Sequence, residues 1–103
     1  MMKRKLKQDM HSDVMSRIAE LKGRPFADLK TLPSHADEKK ESEGKTYSLA
    51  TWVELQENGR LQVGVYAYSE GRWGTGITVH DGFLISPDGT IAKMPVETQL
   101  KYI

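Results

Sequence analysis

The sequence predicts an α+β domain: an N-terminal helix packed on one face of a three- to five-stranded antiparallel β-sheet, in two layers. Three observations predict it. Leu6, Met10, Val14, Ile18 and Leu21 recur at spacings of four and three, the period of one helical stripe. Residues 47–55 and 61–68 alternate apolar and polar side chains on either side of Glu57-Asn58-Gly59, the pattern of a β-hairpin. The helical pattern precedes every strand-like one, so its apolar stripe is the available cover for the sheet's apolar face.

The helix is expected from about Asp9 to Lys22, capped by Asp9 or Ser12, whose short oxygen side chains accept a bond from a free amide of the first turn. Gly23 suits the position just past its end, and Pro25 prevents continuation. Residues 1–8 hold Lys3, Arg4, Lys5 and Lys7 and are expected as a flexible basic N-terminus that frays from the helix or extends it. Pro25 to Pro33 reads as a short helical turn, with Phe26, Leu29 and Leu32 on one face, tucked under the sheet. Residues 34–45 contain no apolar side chain larger than Ala36, and their charges are of both signs. They are expected as a mobile charged loop within a single domain spanning 9–103.

The hairpin register follows from its turn. A two-residue Asn58-Gly59 loop would pair Leu55 with Gln62 and Val53 with Gly64, mixing polar and apolar residues on both faces. A three-residue loop, Glu57-Asn58-Gly59, with glycine in the left-handed region, pairs Leu55 with Leu61, Val53 with Val63, Thr51 with Val65 and Leu49 with Ala67. Only the second gives a continuous apolar face, and a slip of one residue would turn that face to water. The opposite face then carries Trp52 across from Gly64, Ala50 from Tyr66 and Ser48 from Tyr68.

Beyond the hairpin, Ser69 to Gly76 is a glycine-rich connection. Residues 77–86 are strand-like but interrupted at Asp81-Gly82, read as a bulge or a tight turn. Pro87-Asp88-Gly89 is a turn between two short strands, and Pro95 to Ile103 is expected as a last turn packing back through Val96, Leu100 and Ile103.

Composition narrows the function. At 103 residues and 38% hydrophobic, the chain can bury one core without staples. It has no cysteine, hence no disulfide framework and no thiolate metal site, which suits a reducing compartment. No apolar run approaches a membrane span, and the basic start lacks the apolar stretch of a secretory signal, so a cytoplasmic location is expected. The basic start also masks a skew: residues 8–103 carry 11 basic and 14 acidic groups, a net of −3. A body of that charge does not suit broad nucleic-acid binding, which needs a positive surface.

Chemistry-bearing residues are sparse. His80-Asp81 is the only adjacent histidine–carboxylate pair, but neighbours in a strand point to opposite faces, and the triplet with Gly82 suits a turn. His11, His35 and His80 lack zinc-motif spacing, the serines lack a nucleophile elbow, and Gly71, Gly74 and Gly76 precede a strand rather than a helix. No catalytic residue, cofactor or metal is therefore expected. The candidate interaction surface is the aromatic side of the hairpin, Trp52, Tyr66 and Tyr68, with Trp73, Arg60 and Arg72 joining it. Such a surface fits a non-enzymatic cytosolic interaction module that binds a protein partner or a second copy of itself. The alternative is single-stranded nucleic-acid binding, with the rings stacking bases and the basic start touching phosphates.

Ile18-Ala19-Glu20-Leu21, Pro25-Phe26, Leu29, Leu32-Pro33, Thr51-Trp52, Ala67-Tyr68 and Asp81-Gly82-Phe83 together resemble a group of small uncharacterised bacterial proteins. The resemblance spans most of residues 18–90. It implies a stand-alone bacterial cytosolic protein and carries no activity over.

Overall fold

The helical stripe forms as the spacing predicts, and it starts earlier. In a computed structural model, which describes residues 2–42, 44–69 and 76–94, α1 runs Met2–Lys22. Residues 2–8, expected as a flexible start, belong to this helix, because Leu6 continues the stripe into the core and is only 5% exposed. Met10, Val14, Ile18 and Leu21 are buried behind it. Gly23 and Arg24 close the helix by donating to the carbonyls of Glu20 and Leu21, both at 3.1 Å. Pro25 then caps a short helix, α2 (Phe26–Lys30), in extended geometry. Leu29 of α2 is fully buried, and Phe26 and Leu32 pack against the same core.

Five strands follow: β1 (His35–Ser42), β2 (Lys45–Leu55), β3 (Leu61–Ser69), β4 (Ile77–Ile85) and β5 (Ile91–Lys93). Each pairs antiparallel with the next, in the order β1-β2-β3-β4-β5. The chain is thus an α+β domain with α1 packed on a five-stranded antiparallel sheet, chiefly against β3 and β4. The core is the meeting of the α1 stripe with Leu49, Leu61, Val63, Val65, Phe83 and Ile85.

The β2–β3 register is the one the three-residue loop requires, with Leu55 opposite Leu61, Val53 opposite Val63 and Thr51 opposite Val65. Gln56 N donates to Arg60 O at 2.8 Å, Gly59 N donates to Gln56 O at 3.0 Å, and Gly59 has φ +87°. The side chain of Asn58 accepts from Arg60 N at 3.1 Å. The Pro87-Asp88-Gly89 turn repeats this chemistry: Asp88 Oδ1 accepts from Thr90 N at 2.9 Å. That bond holds the Asp88 carboxyl below its ordinary range.

Two further expectations are corrected. The first is the loop at 34–45, most of which is strand β1. Its charges are compatible with a strand because they lie at the sheet edge, where charged side chains are common, and because α1 answers those on the inner side. Asp9, Asp13 and Arg17 recur every four residues, forming a polar stripe beside the apolar one. Ser42 donates to Asp9, Tyr47 donates to Asp13, and Arg17 pairs with Glu38 while donating to Thr51 Oγ1 at 3.1 Å. The second correction is at Asp81-Gly82, which is neither a bulge nor a turn. β4 runs through it in unbroken register, with Gly82 opposite Gly64. A Cβ at Gly82 would come within 2.7 Å of the Val63 carbonyl and 2.8 Å of Met94 Cε, so glycine is there for packing room. The connection at 70–75 and the last turn at 95–103 lie outside the described residues.

The polar stripe has a pH signature. The Ser42 hydroxyl, and then Lys5, hold the Asp9 carboxyl below its ordinary range. Burial, and then the Asp13 carboxylate, push the Tyr47 phenol above its ordinary value of 10.0. A raised phenol favours the neutral form in the fold, so its contribution is complete below about pH 10 and is lost as pH climbs beyond it. Tyr47→Phe should therefore cost about 1.5–3 kcal/mol at neutral pH, the scale of a hydrogen bond to a charged group. It should also flatten the fall in stability above about pH 10, since the titrating group is gone. Urea midpoints measured from pH 7 to 11 check both; an alkaline limb as steep in the variant as in wild type would refute the assignment.

Candidate interaction face

Residues of one parity in β2 and β3 make the core, so the other parity builds the outer face. Ser48, Ala50, Trp52 and Glu54 stand opposite Tyr68, Tyr66, Gly64 and Gln62, as the register requires. His80 and Thr78 of β4 extend the rows of Tyr66 and Tyr68, and His35 of β1 extends that of Trp52.

The aromatic residues do not share one role. The indole of Trp52 lies across Gly64: a Cβ built there would sit 2.1 Å from Cε2 and 2.4 Å from Nε1 of that ring. Trp52 is only 7% exposed, so it acts as a floor for the face and presents little ring to solvent. Tyr66 is partly buried and Tyr68 is 40% exposed, standing between the smaller side chains of Ser48 and Thr78.

Tyr66 sits between two histidines that sequence reasoning set aside. Its hydroxyl lies 3.3 Å from His35 Nε2, with the two rings tilted and their centroids 6.3 Å apart. His80 is its direct partner across the β3–β4 ladder, and Nε2 of His80 is buried without a hydrogen-bond partner among the described residues. On the β1 side, Asp37 approaches His35 Nε2 at 3.4 Å, and Lys39 Nζ donates to Ser48 Oγ at 2.9 Å. The face is therefore aromatic at its centre and hydrogen-bonding around it. His35 carries no such signal in the sequence, because it opens a charged strand without apolar alternation.

The remaining candidates separate from this centre. Arg60 closes the hairpin turn, and Tyr66 and Tyr68 are roughly 20–26 Å farther along β3 at the usual strand rise. Arg60 Nε is buried without a partner among the described residues, as are the side-chain oxygens of Gln56 and Gln62. Arg72 and Trp73 lie outside the described residues. His80 and Asp81 do not converge, since they are neighbours on an unbroken strand; Asp81 Oδ1 instead accepts from Gly82 N at 2.8 Å. Among the described residues no group of three or more His, Cys, Asp or Glu side chains could hold a metal ion, and no helix is long and apolar enough to cross a membrane.

Comparison with protein-family models finds no match for this chain, and comparisons with curated proteins and with solved structures likewise find none.

Proposed function

We propose that the protein is a non-enzymatic interaction module that docks a protein partner on the outer face of its sheet, around Tyr68 and Tyr66. The observation that carries this reading is the 40% exposure of Tyr68, one residue from the end of the sheet's middle strand, on a sheet whose other face is a closed core. Tyrosine suits such a place: its ring offers a large contact area at low entropic cost, and its hydroxyl bonds at the rim. The buried Trp52 beneath keeps the face rigid, so little ordering opposes docking. A chain without cysteine is at home in a reducing compartment, and the cytoplasm is the proposed place of action.

The test compares partner capture by immobilised wild type and by Tyr66→Ala/Tyr68→Ala, with urea midpoints measured alongside. The reading expects a partner held by wild type to be lost from a variant that still folds. A partner held equally by both would refute it. Tryptophan quenching by single-stranded oligonucleotides that falls steeply with salt would instead favour the stacking alternative.

A further inference from the structure

We infer that the free edge of β1 pairs antiparallel with β1 of a second copy, centred on Glu38, and joins two five-stranded sheets into one. The direction of the backbone groups comes first. Val53 N donates to Ser34 O at 3.0 Å, and residues 34 and 53 are opposite each other in the β1–β2 register. Opposed residues of an antiparallel ladder alternate between those that exchange hydrogen bonds and those that do not. Ala36, Glu38, Lys40 and Ser42 therefore spend their backbone groups on β2. The N–H and C=O groups of His35, Asp37, Lys39 and Glu41 point the other way, where no described strand meets them. From His35 to Glu41 the strand is exposed except at Lys40, which is partly so.

The side chains then choose the register. A two-fold axis perpendicular to the sheet keeps each face continuous only where it passes midway between one residue and that residue's symmetry mate. With the axis at Glu38, Asp37 faces Lys39 and His35 faces Glu41, in both directions across the axis and on the outer face. The self-opposed Glu38 pair lies on the inner face, where each carboxylate is already matched by its own Arg17. With the axis at Lys39, that lysine would face itself and Asp37 would face Glu41. With the axis at Asp37, two aspartates would meet. Like charges directly opposed are destabilising and opposite charges stabilising, so Glu38 is the best of these three centres, and an axis at Ala36 or Lys40 would pair fewer residues of the eight-residue strand His35–Ser42. α1 packs chiefly under β3 and β4 and reaches β1 through Asp9 and Arg17 on the inner face, so the outward edge of β1 is left to the second copy.

A charged edge ordinarily guards against pairing; this one is self-complementary. One short strand pair buries a small interface, so association is expected at high micromolar concentration. Sedimentation equilibrium up to roughly millimolar protein, at low salt where ion pairs are least screened, tests it. Asp37→Lys and Lys39→Asp should each weaken self-association at least about tenfold, because each opposes like charges at both pairs. An equimolar mixture of these two variants should associate as wild type does, and so should the Asp37→Lys/Lys39→Asp exchange. Tyr68→Ala should leave association unchanged, which separates this edge from the docking face. A wild type that stays monomeric throughout, or single variants that associate as well as wild type, would overturn the inference.

Discussion

Replacing Phe83 with alanine is expected to remove about 3–5 kcal/mol of folding stability, the usual cost of truncating a buried phenylalanine. The ring is 1% exposed and belongs to the same core as the α1 stripe. Lys22 Nζ stands 5.8 Å from its centroid, so the last turn of α1 rests on the same residue. Neighbours cannot close the gap cheaply: β4 is held by β3 and β5, and Val14 and Ile18 are already fixed by their own contacts. A domain of this size has only about 5–15 kcal/mol in total, so the variant should sit near its unfolding threshold at room temperature. Urea unfolding followed by far-ultraviolet circular dichroism reads the loss. A midpoint within a few tenths molar of wild type would show that the helix–sheet contact is not where the stability lies.

The second large effect is expected at Gly64. Valine there places atoms inside the volume occupied by the Trp52 indole, 2.1 Å from the nearest ring carbon at the Cβ alone. A rigid bicyclic ring that is 7% exposed has no flexible end to move aside, so it must leave its seat or push the strands apart. Overpacking of this kind costs about 1–3 kcal/mol, and this contact belongs at the upper end. Trp52→Ala in the same chain should return part of the loss, because it removes the ring that the valine meets. The two substitutions are therefore non-additive, as contacting residues are. Equal losses with and without the Trp52 change would mean that the ring does not lie on Gly64.

The hairpin and its register were legible because two independent rules agreed: the left-handed glycine of the turn and the demand for one continuous apolar face. The α1 stripe was legible for the same kind of reason, a period repeated from Leu6 to Leu21. β1 was not, because strand reading depends on apolar alternation. At β1 the inner positions carry Glu38 and Lys40, and Glu38 is satisfied by Arg17, a residue distant in the sequence. Gly82 was misread because a glycine inside a strand signals either a break or a close approach, and only the packed neighbours Met94 and Val63 distinguish the two. Trp52, Tyr66 and Tyr68 share one face as the hairpin register requires, but alternation alone does not rank their depths. Trp52 is buried because Gly64 makes a seat for it, a pairing that the register contains and that hydropathy does not.

The division of the outer face into a buried floor and an open ring is what the docking proposal stands on. Ring-proton relaxation by a soluble gadolinium chelate, measured residue by residue by NMR in the isolated chain, tests it most directly. Tyr68 should relax strongly, Tyr66 less, and Trp52 hardly more than the core phenol of Tyr47. Tyr68 shielded as well as Trp52 would contradict it, for a ring already covered has nothing left to dock.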